Sequence, residues 1–187
     1  MSGAAYFELS DEQLIGLTLN GDRNAFGEIV YRYQDMVART VRGMLGDAVY
    51  AEDIGQDTFI RLYKALPGFR GEAKLSTYLT RIAVNLTLNE IKKRKRTGNL
   101  VVTDNEKDKV AFNIADNIDH SQRDINEVVN KALEMLEAKY RIVVVMRLLQ
   151  GYSTKETAEI LRIPSGTVLS RLSRAQDKLK EILKRLQ

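Results

Sequence analysis

The stretch from Ser153 to Ser173 leaves the fewest choices of fold. Ser153 and Glu156 have the spacing of a capping box, in which each side chain satisfies a free backbone amide at a helix start. A short helix to Leu161 follows, with Ala158, Ile160 and Leu161 available for packing. Arg162-Ile163-Pro164 supplies a turn, since Pro has no amide to continue a helical ladder. Ser165 is expected to cap a second helix, which meets no Pro or Gly after Gly166. Within it Val168, Leu172, Ala175, Leu179, Ile182 and Leu186 recur in threes and fours, the period of one buried stripe. Thr167, Arg171, Arg174 and Lys178 share a different stripe, with Ser170 beside it. Two helices joined by a tight turn, the second carrying hydroxyls and guanidiniums, form a helix-turn-helix layout, whose second helix enters a DNA major groove N-terminus first. The plainer alternative is a basic helical hairpin that touches only phosphate. Spacing does not decide which Arg reads a base.

A second stretch, Ser76 to Arg96, runs more than twenty positions without Gly or Pro, and Ser76 is a suitable N-cap. Tyr78, Arg81, Asn85, Asn89 and Lys92 share one face; Leu79, Ile82, Ala83 and Leu86 share another. The helix ends in five consecutive cations, Lys92 to Arg96, favourable at a C-terminus. An aromatic ring with amides on a basic helix suits unpaired bases better than a small-molecule pocket. The loop before it, Pro67 to Leu75, carries Arg70 and Lys74 and could help capture an extruded base. The competing reading is a plain connector and a solvated basic face.

The other helical patterns are simpler. Leu14 to Leu19 reads as a short helix ended by Asn20-Gly21-Asp22. Asn24 is the expected cap of a long helix whose core side includes Phe26, Ile29, Val30, Tyr33, Val37, Val41 and Leu45, with Arg32, Arg39 and Arg42 facing out. Asp53 to Leu66 follows, with Ile54, Phe59, Leu62 and Leu66 inward and Asp53, Gln56, Asp57 and Arg61 on the outer side. Asp53 and Asp57 lie one turn apart, but no His or third carboxylate joins them as a metal or acid–base site would require. From Ile125, a stripe of Val128, Val129, Ala132, Leu133 and Leu136 opens another helix. Arg141 to Leu149 is ambiguous because of its β-branched run, and the lack of a partner strand favours helix.

Composition removes whole classes of chemistry. The 187 residues include no Cys and a single His, His120, which excludes disulfides, thiolate metal centres and paired-His sites. No cofactor and no metal are expected. No signal peptide or membrane span is legible, so a cytoplasmic protein is expected. The formal net charge is only +4, but its distribution is uneven. Met1 to Thr103 holds fourteen basic and twelve acidic residues, Asp104 to Glu137 four and nine, and Ala138 to Gln187 eleven and four. Two basic regions around an acidic middle suggest two polyanion-binding parts and a spacer. The expected fold is all-α: two small helical domains, residues 1–97 and 124–187, joined by a flexible acidic linker, 98–123, the second domain being a helix-turn-helix four-helix unit.

These segments together resemble one family. NAFGEIVYRYQDMV, AEDIGQDTFIRLYKALPGF and STYLTRIAVNLTLNEIKKRKR are similar to the first domain of the extracytoplasmic-function (ECF) sigma factors of bacterial RNA polymerase. GYSTKETAEILRIPSGTVLSRLSRAQDKL is similar to their second domain. The resemblance implies a non-enzymatic factor that binds core polymerase, at the clamp of the largest subunit and the flap of the second largest, and helps melt promoter DNA. It implies polymerase docking through Asp53, Gln56, Asp57 and Arg61. It implies minus-ten contacts through Lys74, Tyr78, Arg81, Asn85, Asn89 and Lys92, and minus-thirty-five contacts through Ser165, Thr167, Ser170, Arg171, Arg174 and Lys178. An anti-sigma factor, often membrane-anchored, is a further implied partner; a small-molecule substrate is not. Three departures stand out. Tyr78 occupies a position usually held by Trp, Leu169 one usually basic, and the usual Pro near Ala138 is missing. Two alternatives from other classes are a stand-alone helix-turn-helix regulator and a nuclease using Asp53 and Asp57 with metal.

Overall fold

The computed structural model describes residues 6–46, 48–96 and 120–186. Every described regular element is helical. Helix α1 (Asp11–Leu19) starts earlier than its apolar pattern suggests, because Ser10 and Gln13 close a capping box. Helix α2 (Arg23–Leu45) is capped by Asp22, not Asn24: its carboxylate accepts from the amides of Asn24 and Ala25. Gly46 ends α2 in the left-handed region at φ 67°, where a Cβ would also run into the Glu134 carboxylate. Helix α3 (Ala48–Ala65) closes in a 3₁₀ turn, Leu66–Gly68, with Pro67 in its first turn. Helix α4 (Leu75–Arg96) begins one residue before the expected cap, so Ser76 lies inside its first turn.

The first core collects Leu14, Ile29, Val37, Val41, Leu62, Leu66 and Leu79, all almost fully buried. The expected inward residues of α2, α3 and α4 fall here. Thr18, Thr58 and Thr87 are buried as well, and each returns its hydroxyl to the carbonyl four residues back. That bond lets a polar, β-branched residue enter the core without an unsatisfied donor. Arg32 does not simply face out. It donates to the carbonyls of Tyr6, Phe7 and Leu9 and to the Glu28 carboxylate, tying the chain before α1 onto α2. Tyr33 bonds Asp11 at 2.5 Å, and burial together with that carboxylate holds its hydroxyl far above the ordinary tyrosine value.

In the second half α5 (His120–Met135) begins inside the stretch expected as linker, so the backbone at His120 is helical. Residues 97–119, which include the rest of that expected linker, lie outside the described residues. Ala132, Leu133 and Leu136 are buried as expected, whereas Val128 and Val129 are exposed. Helix α6 (Ala138–Val144) continues as a π-helical turn, Val145–Leu149. Ile142 to Met146 are all at most 3% exposed, which explains the ambiguous run: a segment buried on every side carries no helical period. The wider π turn leaves Leu148 and Leu149 half exposed. Helices α7 (Thr154–Leu161) and α8 (Ser165–Leu186) follow, with the Ser153–Glu156 capping box formed in both directions. Arg162 makes the turn between them in the left-handed region at φ 53°. Ser165 is the first helical residue of α8, and Pro164 supplies the carbonyl for its first bonds.

The two halves are in contact. One apolar cluster unites Met44 of α2 and Val84 of α4 with Ile142, Val143, Val145, Met146, Ala158, Ile160 and Val168. Val84, absent from the expected core set of α4, is buried by the second half.

Candidate nucleic-acid interface

Helix α4 presents the expected face, but unevenly. Asn85, Asn89 and Lys92 are exposed, whereas Tyr78 and Arg81 are partly covered. The Tyr78 ring packs against Phe69 of the preceding loop, with centroids 5.1 Å apart and planes at 57°. Phe69 therefore extends the aromatic surface of Tyr78; its place at the end of the Leu66-Pro67-Gly68 turn is the signal that could have marked it. Beneath this loop is a cleft of about 250 Å³ lined by Asp11, Tyr33, Phe69, Lys74 and Ser76 among others. Lys74 is exposed at its edge. At the far end of α4, Asn89, Lys92, Lys95 and Arg96 surround a shallow cationic depression. Acceptor-rich phosphate suits such a site.

Arg81 points elsewhere. Its Nη2 donates to the Glu159 carbonyl of α7 at 3.0 Å, and its Nε is buried without a hydrogen-bond partner. The Thr80 hydroxyl meets the Tyr152 hydroxyl at 3.1 Å.

On α3, Asp53, Gln56, Asp57 and Arg61 are all exposed, while Ile54, Phe59, Leu62 and Leu66 point into the core. Beside them a groove of about 260 Å³ runs between α2 and α3. Val37, Ala51 and Phe59 form its apolar walls, and Gln34, Arg42 and Gln56 are among its polar lining. Apolar walls with a polar rim suit a helix or an extended peptide better than a catalytic reaction. Among the described residues no group of three or more His, Cys, Asp or Glu is placed to hold a metal ion.

On α8, Ser165, Ser170 and Arg174 are exposed; Thr167 and Arg171 are partly covered. The Ser170 hydroxyl donates to the Thr167 carbonyl one turn back and keeps its capacity to accept. Lys178 leans toward Glu137 at 3.8 Å, so it is held toward the α5–α6 junction. Glu137, bonded chiefly by Lys139, has its carboxyl held below the ordinary range. Leu169 is 55% exposed on this surface, an uncompensated apolar site in a polar face.

Comparison with known proteins fits this geometry. Residues 29–97 match Sigma-70 region 2, and residues 126–179 match Sigma-70, region 4. The ECF RNA polymerase sigma factor SigW of Bacillus subtilis is 33% identical over 96% of this chain and 100% of its own length. The chain belongs to the ECF sigma factors. The ECF RNA polymerase sigma-E factor of Escherichia coli K12 is 32% identical over 91% of this chain and 92% of its own. Among solved structures, CnrH in complex with the cytosolic domain of CnrY superposes with a TM-score of 0.69, at 23% identity over 94% of this chain and 97% of that one. RpoE bound to the anti-sigma factor NepR, from Bartonella quintana, gives 0.67 at 24% identity, over 85% and 96% of the two chains. Those two likenesses concern the fold. In this ECF sigma factor region 2 contains most of α2, with α3 and α4, and region 4 holds most of the helix-turn-helix half.

Proposed function

We propose that this sigma factor docks core RNA polymerase through α3, holds melted minus-ten DNA on α4 and its preceding loop, and reads the minus-thirty-five element with α8. The observation that carries the reading is the sidedness of α3: the docking residues Asp53, Gln56, Asp57 and Arg61 are exposed together opposite a fully packed core face. Of these, Gln56 lines the groove between α2 and α3, which suits another chain. The clamp of the largest subunit is the assigned occupant, and the flap of the second largest is assigned to region 4.

At the minus-ten element Asn85 and Asn89 offer amides, the Tyr78–Phe69 pair offers stacking area, and the loop cleft offers a volume of about 250 Å³. Extruding a base costs a few kcal/mol, and stacking on an aromatic returns about 1–3 kcal/mol per base. Lys92 and its neighbours hold phosphate. At the minus-thirty-five element Ser165, Thr167, Ser170, Arg171 and Arg174 face the groove, with Lys178 serving the backbone. This work takes place in the cytoplasm. An anti-sigma factor, at the inner face of a membrane or free, is the partner class that would restrain it, a reading supported by the neighbours solved in such complexes.

Transcription in vitro with core polymerase on a library of genomic fragments tests the reading and yields the promoter. Asp53→Ala with Asp57→Ala should abolish polymerase association without lowering the melting temperature. Unchanged association would refute the docking face. Asn85→Ala should reduce permanganate reactivity of unpaired thymines more than duplex binding, and an unchanged footprint would remove Asn85 from the melted-strand site.

A further inference from the structure

On the surface of α8 assigned to the minus-thirty-five element, one side chain has no polar chemistry. Leu169 is 55% exposed, while its neighbour Val168 is fully buried and Leu172 packs against the core. At about 100° per residue, Leu169 falls on the outer strip of the helix, with Ser165 and Gly166 before it and Ser170 and Ser173 after it. Those four residues are exposed as well. A lone exposed Leu is ordinary on a protein surface and says nothing by itself. The position of this one carries the information. Leu169 is the fifth residue of α8, near the end by which such a helix enters a major groove. One turn before it is Gly166, where an added Cβ would meet nothing within 4 Å, so no other side chain covers the helix on that side.

We propose that Leu169 is a specificity-determining residue of the minus-thirty-five helix, and that its isobutyl group packs on the C5-methyl group of a thymine in that element. The inference rests on the assignment of α8 to the minus-thirty-five element. In a major groove the base edges present donors and acceptors, and thymine alone adds an apolar group, its C5-methyl. Against the polar edges of adenine, guanine or cytosine, the side chain would displace water and return no hydrogen bond. Phosphate offers an isobutyl group no partner either. Against thymine, apolar surface leaves water on both sides of the contact. Leu169 thus selects for thymine and against a pair that turns a donor or acceptor toward it.

The register along the helix fits one element. Arg174 lies five residues beyond Leu169, about 7.5 Å along the axis, or about two base-pair steps of about 3.4 Å. A guanine held by Arg174 and a thymine held by Leu169 therefore fit in the same short element. The other side chains of the strip, at Ser165, Ser170, Ser173 and Arg174, are hydroxyls and a guanidinium, so the apolar contact depends on Leu169.

Exchanging thymine for deoxyuridine tests the contact without altering a hydrogen bond, because it removes only the methyl group. Holoenzyme assembled from the full chain and core polymerase is bound to the promoter recovered from the genomic library. Each thymine of the minus-thirty-five element, on either strand, is replaced singly by deoxyuridine. One of these substitutions should weaken promoter binding by wild-type holoenzyme about fourfold, the worth of one buried methyl group. The same substitution should make no difference to holoenzyme carrying Leu169→Ser. Leu169→Ser changes an exposed side chain, so its melting temperature should match the wild type. If no deoxyuridine weakens wild-type binding, or if the same one weakens the Leu169→Ser holoenzyme equally, the thymine contact is overturned. Failure of the underlying assignment looks different: Arg171→Ala and Arg174→Ala would then also leave the minus-thirty-five preference intact.

Discussion

Replacing Met44 by Ala is the sharpest probe of how the two halves depend on each other. Met44 sits near the end of α2, is fully buried, and packs in the cluster that also holds Val143, Val145 and Met146 of the second half. Truncating a buried Met removes about three heavy atoms and leaves a partly collapsed cavity, at a cost of about 2–5 kcal/mol. Taking about 3 kcal/mol, and about 2–4 °C per kcal/mol for a cooperative unit of this size, the melting temperature should fall by about 10 °C. Leu14→Ala is the control. Leu14 is equally buried but belongs to the first core only, so its loss should be similar in size. Hydrogen exchange separates the two. Met44→Ala should raise exchange in α6 as well as α2, because the cavity opens onto Val143 to Met146. Leu14→Ala should leave α6 protected. If Met44→Ala loosens α2 alone, or costs less than about 1 kcal/mol, the shared cluster does not exist in solution and the reasoning fails.

Three other outcomes follow from named contacts. Ser153→Ala removes the hydroxyl that accepts from the Glu156 amide and should cost about 1 kcal/mol by thermal melting, whereas Ser153→Asp, which keeps an acceptor, should restore most of it. Arg171→Ala and Arg174→Ala should each weaken minus-thirty-five binding by about 1–3 kcal/mol if the guanidinium reads a base. A variant that changes only the salt dependence identifies a phosphate contact, and no loss from either would remove α8 from the interface. The Asp22 carboxyl is held below the ordinary aspartate range, chiefly by the Tyr6 hydroxyl and then by the amides of Ala25 and Asn24. A depressed folded pKa stabilises above the unfolded value and is lost as pH falls through the folded one, so this link should persist at neutral pH and release only in acid. A carboxyl titration of Asp22 by NMR with its midpoint at or above the ordinary value would contradict the bond.

Much of the fold was legible because its signals are local. The capping box at Ser153, the turn at Pro164 and the stripe from Val168 to Ala175 each involve residues within one or two turns, so spacing alone specifies them. The outer face of α3 was legible for the same reason. Errors of a residue or two came at helix starts, where competing polar residues compete for the same free amides: Asp22 prevailed over Asn24, and Ser76 fell inside its helix. The β-branched run at Ile142 to Val145 gave no period because tertiary burial surrounds it.

What the amino-acid sequence determined by itself is therefore the set of helices, the faces of α3, α4 and α8, and the family that they identify. What only the tertiary structure decided is which of those faces is free. Val84 is buried, Arg81 is partly covered and turned to a carbonyl of α7, and Gln150 and Tyr152 act at a contact more than seventy residues away in the chain. No periodicity encodes such pairings, since each half satisfies its own helical pattern without the other. The contact arises because both halves leave apolar area beside hydroxyl, amide and guanidinium groups, and those surfaces meet only after each has folded.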